Sequence, residues 1–301
     1  MLRSLVGSEM CIRDRSNMTK QLLSKIEGCY SSMSKGHKRI TDYITENYDK
    51  AAFMTAAKLG DAVGVSESTV VRFASELGFS GYPQLQKTLQ EVVKSRLTSV
   101  QRMEAAGGED MLEHAFSSDI DTIKATRESI SREAFNASVE AINRAKHIYV
   151  LGVRSAASLA SFAAFYLNFV YDSVTLIEPA GTGEAFDQAF RINKDDVCIA
   201  ISFPRYSKQT INMLRFISDR GATVISVTDS ENSPIAQFAT HLLLARSSMV
   251  SFVDSLVAPL SLINALIAAA ASEKSGEVYS NLSSLENIWD EYQIYQTHED
   301  E

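Results

Sequence analysis

The chain has 301 residues, 45% of them hydrophobic and 22% charged, with a formal net charge of −8. That length accommodates two domains with separate cores, and that composition excludes a disordered or fibrous protein. The three cysteines, Cys11, Cys29 and Cys198, are odd in number and show no paired or metal-type spacing, which argues against a disulfide framework or a zinc site and fits a reducing cytosol.

The charge is unevenly spread. Residues 18–100 carry 11 Lys+Arg against 8 Asp+Glu, a balance of +3, whereas residues 101–301 carry 15 against 27, a balance of −12. Such asymmetry suggests a front that faces nucleic acid and an acidic rear that phosphates avoid. The two longest apolar segments, Ser155–Tyr171 and Leu256–Ala271, fall short of the roughly 20 apolar residues of a membrane span and read as buried helices.

In chain order, residues 1–17 lack helical periodicity and the apolar stretch of a signal peptide. Leu5–Arg15 looks like translated adapter read-through, so Met18 is the expected native start and 1–17 a non-native or disordered leader. Leu22, Leu23 and Ile26 mark a first helix. Ile40, Tyr43, Ile44 and Tyr48 mark a second, with Ser34 as its cap.

The stretch Phe53–Phe79, FMTAAKLGDAVGVSESTVVRFASELGF, then reads as two short helices joined by a tight turn. Leu59, Val63, Val65, Val70 and Phe73 form its apolar inner face, Gly60 gives a close crossing point, and Gly64 sits where φ > 0 is needed. Ser66 is placed to N-cap the second helix through its hydroxyl. Val70, Phe73, Ala74 and Leu77 follow the spacing of a buried stripe, which leaves Glu67, Ser68, Thr69 and Arg72 outward. A helix-turn-helix presents its recognition helix to the major groove in this way, and Lys58, Ser66, Glu67, Ser68, Thr69 and Arg72 are the candidate DNA-binding residues. The competing reading is an ordinary helical hairpin. A further helix follows Ser80–Pro83, with Leu85, Leu89, Val92 and Val93 on one side. The expected helical domain covers 18–100, a linker 101–112 contains the glycine-bearing 105–110, and a second domain spans 113–296 before an acidic tail at 297–301.

Beyond two helices at 111–130 and 132–144 the pattern changes. Five short β-rich runs (147–151, 174–177, 197–201, 223–227 and 241–244) alternate with helical stretches at 155–170, 183–190, 208–220 and 234–238, and helices at 253–272 and 282–292 close the chain. Alternation with fully apolar strands predicts a parallel sheet covered on both faces. Ligands of such sheets bind beyond the carboxyl ends of the strands. There, Gly152-Val153-Arg154-Ser155 opens into one helix and Ser202-Phe203-Pro204-Arg205-Tyr206-Ser207 into another, with Thr210 one turn on. Hydroxyls and free N–H groups at two helix N-termini suit an anion, and Arg154 and Arg205 add charge. Serines that merely cap their helices are the alternative. The single glycine of the first loop argues against a dinucleotide, although Glu178 ends the second strand, and no P-loop sequence occurs.

The segment 34–91 resembles the N-terminal domain of RpiR-type (MurR/RpiR) bacterial transcriptional regulators. The region 141–271, with GVRS and ISFPRYS, resembles their SIS (sugar isomerase) domain. The resemblance implies an all-α helix-turn-helix domain followed by a flavodoxin-like α/β three-layer sandwich with a five-stranded parallel sheet. It also implies a cytoplasmic homodimer or homotetramer on a palindromic double-stranded operator, a phosphosugar effector in place of any cofactor, and control of carbohydrate metabolism. Ser155, Ser202 and Ser207 would hold the phosphate, with Gly152, Arg154, Arg205 and Thr210 completing the site. The alternative is a sugar-phosphate isomerase, which needs a base. Of the five histidines (His37, His114, His147, His241 and His298) none lies in either loop. Glu178 and Glu184 are the only carboxylates near the second strand's end to nominate.

Overall fold

The computed structural model describes residue 30 and residues 32–94, 99–105, 110–178, 182–249 and 251–295. The expected leader, the first helix at Leu22–Ile26 and the acidic tail lie outside the described residues. The chain divides into two compact units, Met1–Gly107 and Gly108–Glu301.

The first unit is helical: α1 Lys35–Glu46, α2 Tyr48–Ala51, α3 Ala56–Val63, α4 Glu67–Glu76, α5 Tyr82–Lys94 and α6 Ser99–Ala105. Ser34 caps α1 by accepting from the His37 N–H, and Thr55 caps α3 by accepting from the Lys58 N–H. Ile40, Ile44, Leu59, Val70, Phe73, Ala74, Leu77, Leu85 and Leu89 form one buried core. The α3–α4 turn is a Schellman closure. Gly64 sits at φ 67°, its N–H reaches the Asp61 carbonyl, and the Val65 N–H reaches the Gly60 carbonyl at 2.9 Å. From α1, Arg39 donates to the Gly64 carbonyl at 2.9 Å and so pins the turn to the supporting helix. Three α5 side chains satisfy the loop before α3: Tyr82 and Gln86 donate to the Met54 carbonyl and Gln90 to that of Ala52.

The second unit opens with α7 Met111–Ser129 and α8 Arg132–Arg144. Both ends of the expected linker are helical: 101–105 belong to α6, and Asp110 caps α7 by accepting from the Leu112 and Glu113 N–H groups. There follow β1 Ile148–Gly152, α9 Ala156–Leu167, β2 Val174–Ile177, α10 Thr182–Ala189, β3 Val197–Ile201, α11 Lys208–Asp219, β4 Thr223–Thr228 and β5 His241–Leu244. The stretch expected as a helix at 234–238 is a single 3-10 turn, Ala236–Phe238. A two-stranded hairpin, β6 Ser248–Met249 and β7 Asp254–Ser255, was not expected, and it delays the next helix, α12, to Val257–Glu273. The last helix, α13, runs Ser275–Glu291.

All pairings in the five-stranded sheet are parallel, in the order β2-β1-β3-β4-β5. One face packs under α8, α9 and α12 through residues such as Val150, Ile199, Val227, Ile142, Leu159 and Leu266. The other packs under α10 and α11 through Leu151, Cys198, Val224, Ala185 and Leu214. The central strands β1 and β3 are buried at every residue, as a sheet covered on both faces requires. Burial pushes the Cys198 thiol up to about 12, so it packs as a small apolar group. Among the described residues no helix is long and apolar enough to cross a membrane.

A Cβ at Gly60 would lie 2.7 Å from the Val65 carbonyl oxygen, a backbone atom that cannot retreat without opening the turn. Gly60→Ala is therefore expected to destabilise the helical unit by about 1–3 kcal/mol. Chemical denaturation of the full chain, followed by helical circular dichroism, checks this.

Candidate functional site

On α4, Val70, Phe73 and Ala74 face inward, and Glu67, Ser68, Val71 and Arg72 are exposed, with Thr69 partly so. Ser66 occupies the N-cap position, but its hydroxyl makes no bond to the helix backbone, contrary to expectation. Instead it lies 2.9 Å from both the Ser68 and the Thr69 hydroxyls. Three hydroxyls thus cluster at the positive end of α4, where the first N–H groups have no partner within the helix. Arg72 folds back so that its Nε donates to the Ser68 carbonyl at 3.3 Å, which sets the guanidinium beside that cluster. Lys58 is exposed on α3. The surface so built offers hydroxyl, N–H and cationic donors, the set that contacts phosphates and purine edges.

In the second unit the strand order decides where a ligand fits. Neighbouring β1 and β3 run in register, Gly152 beside Ile201, yet α9 packs on one face of the sheet and α11 on the other. The loops leaving these two strands part at their carboxyl ends, which is the switch-point crevice of a doubly wound sheet.

The expected residues lie on these two loops and the first turn of α11, each in a distinct setting. Gly152 ends β1, and a Cβ there would lie 2.6 Å from the Ala156 carbonyl and 2.9 Å from the Ala160 Cβ; its missing side chain is what lets α9 close on the strand. Ser155 is exposed and makes no capping bond. Ser202 is buried and its N–H donates to the Val227 carbonyl at 3.1 Å. Ser207 does cap α11, accepting from the Gln209 N–H at 3.2 Å, which leaves its own hydrogen to donate elsewhere. Thr210 is fully buried, and its hydroxyl has no partner among the described residues. An unmet buried hydroxyl costs about 1–3 kcal/mol.

Arg154 and Arg205 are exposed and share an uncommon conformation, with φ of 59° and 66°. A left-handed residue other than glycine is uncommon, and such outliers cluster at ligand clamps. Each stands immediately before the turn into its helix.

Sequence reading passed over Asp229, the first residue beyond β4. It accepts from the Tyr206 hydroxyl at 2.6 Å and from that of Thr228 at 3.3 Å. Burial pushes its carboxyl up, opposed by the Tyr206 and Thr228 bonds and by the Arg246 guanidinium. Extending the same reading of strand-end loops to β4 would have found it. The groups weighed as catalysts sit elsewhere. His147, at the start of β1, is held by Ser173 and Thr175 and stacks on Tyr149; His241 begins β5; the Glu178 backbone is paired with the Gln188 amide.

Comparison with known proteins fits both units. Residues 20–96 match the model of the helix-turn-helix domain, rpiR family, and residues 141–269 match the SIS domain. The chain is 25% identical to the HTH-type transcriptional regulator HexR of Pseudomonas aeruginosa over 73% of its own length and 77% of that protein. It is 26% identical to the regulator YfhH of Escherichia coli, over 73% and 80%. Among solved structures it is similar to the sugar isomerase domain of an RpiR transcription factor from Sphaerobacter thermophilus (29% identity, TM-score 0.54, 57% of this chain and 96% of that one). It is also similar in fold to Vibrio vulnificus NanR, complexed with ManNAc-6P (22% identity, TM-score 0.57, 90% of this chain and 98% of that one).

Because helix packing alone explains Gly152, Gly152→Ala is expected to cost the sheet unit about 1–3 kcal/mol. Equal loss in the presence and absence of millimolar phosphate, measured by thermal melting, checks that assignment.

Proposed function

We infer that this chain, which belongs to the RpiR family of helix-turn-helix transcriptional regulators with a SIS domain, is a cytoplasmic regulator of carbohydrate metabolism whose operator binding is switched by a phosphosugar in the β1/β3 crevice. The observation that carries the effector half is the Thr210 hydroxyl, buried without a partner one turn into α11. Buried polar groups in folded proteins almost always have partners, and a phosphate oxygen supplies the one missing here. Ser155, Ser202 and Ser207 donate to the same anion, the α9 and α11 N-termini add their dipoles, and Arg154 and Arg205 balance its charge. Gly152 serves the packing of α9 against β1.

On the DNA side, Arg72 and Ser68 reach base edges and Glu67 stands beside them on the first turn of α4. Ser66, Thr69 and Lys58 hold phosphates and set the register. Two copies in a homodimer, or four in a homotetramer, pair recognition helices on a palindromic operator. The phosphosugar acts by favouring one arrangement of those copies. Neither loop contains a histidine or a carboxylate to move a proton between adjacent sugar carbons, and Asp229 beside them is already held by Tyr206 and Thr228, which favours binding over turnover.

Arg72→Ala is expected to weaken operator binding by about 1–3 kcal/mol per half-site and to relax preference at one base pair. Binding to a panel of operator variants measures both, and unchanged affinity with unchanged preference refutes the assignment. For the effector, thermal melting of the full chain against hexose 6-phosphates, amino-sugar 6-phosphates including ManNAc-6P, and phosphorylated sugar acids is the direct screen. A ligand at a hundred times its dissociation constant adds about 2.7 kcal/mol and raises the midpoint. Thr210→Val, and Ser202→Ala with Ser207→Ala, should abolish that shift while operator binding persists. A shift that survives in both variants places the ligand elsewhere.

A further inference from the structure

We propose that Asp229 is a positioning residue that holds the β3–α11 loop in its ligand-ready shape and ties that loop to α7, the first helix of the sheet unit. The inference deepens the effector reading and rests on it only in naming what the loop holds.

The loop contains one backbone outlier, Arg205, flanked on both sides by anchors. On one side the chain is fixed by Phe203, which is 5% exposed within the core under α9 and α12. On the other, Tyr206 donates to Asp229 at 2.6 Å. A left-handed arginine persists only where its neighbours over-determine it. Loss of the Tyr206 bond removes one of these anchors and favours the return of Arg205 to negative φ. That rotation carries Ser207 off the α11 N-cap and changes the entry to the turn that presents Thr210.

The end of β4 is tied in a second direction as well. The Ala245 N–H donates to the Thr228 carbonyl at 2.8 Å, which joins the end of β5 to the end of β4, and the nearby Arg246 charge favours the ionised Asp229 carboxyl. The Arg246 N–H donates in turn to the Thr126 hydroxyl of α7 at 2.9 Å, and Thr126 is buried. A second tie lies one and a half to two turns earlier on α7, where Ser255 of β7 donates to Asp119. The path from loop to helix therefore runs from Tyr206 to Asp229, through the adjoining Thr228 and Ala245 backbone, to Arg246 and Thr126. It ends on the first helix of the sheet unit.

Hydrogen–deuterium exchange on the full chain tests this without needing the effector. In Tyr206→Phe and in Asp229→Asn, the amides of 205–211 should exchange about tenfold faster, the loss expected of a hydrogen bond to a charged group. Thr126→Val touches neither loop, yet it should accelerate the same 205–211 amides, because coupling is reciprocal. Loop exchange equal to wild type in Tyr206→Phe overturns the positioning role. Acceleration there with no loop change in Thr126→Val overturns the tie to α7. Tyr206→Phe keeps the ring, so it answers the question even where Asp229→Asn fails to fold. A parallel arm adds inorganic phosphate to the wild-type chain. Protection of 205–211 supports the anion crevice; no protection, with the variant effects intact, removes the anion reading and leaves the coupling standing.

Discussion

The functional chemistry depends on a constraint of the parallel sheet. Crossovers between parallel strands are right-handed, so a strand whose helix goes to one face and a neighbour whose helix goes to the other must separate their loops at the carboxyl edge. In this chain that happens between β1 and β3, which pair residue for residue up to Gly152 and Ile201 before parting. Everything placed at the crevice, from the two arginines in left-handed conformation to the buried Thr210 hydroxyl, follows from where those two helices begin. Gly152 sharpens the point, since a residue that looks like a phosphate-loop glycine is required by the approach of α9 alone.

The helical unit solves a different problem with the same economy. A recognition helix must be rigid while nothing covers its outer face. Here the rigidity comes from behind, through the Schellman turn at Gly64, the Arg39 bond onto it and the buried stripe from Val70 to Leu77. That leaves the N-cap and first two turns of α4 to carry three hydroxyls and an arginine, in a unit with a small positive balance that precedes a strongly acidic one in the sequence. The negative balance of residues 101–301 disfavours phosphate contact by that region.

Much of this was legible because the signals are short-range. Strand composition, helix periodicity and the glycine of the helix-turn-helix all act within a few residues, and the five strands and the turn appear where those signals point. What was not legible depends on distant partners. The Ser66 hydroxyl pairs with those of Ser68 and Thr69 in place of the backbone N–H it was expected to accept from. The β6–β7 hairpin has strands of two residues, too short for alternation to register. The left-handed Arg154 and Arg205 carry no glycine to announce them. Asp229 is ordinary in sequence and stands out only once the Tyr206 hydroxyl reaches it from another loop.

The central claim is that one molecule senses a phosphosugar at the sheet and reports it at the helix. The most direct test is to measure operator affinity across a titration of the effector, and effector affinity with and without saturating operator, on the same full-length protein. A shift of about 5–150-fold is expected in one direction and, by linkage, the same factor in the other. An effector that binds the crevice while leaving operator affinity unchanged, or two factors that disagree, would contradict it.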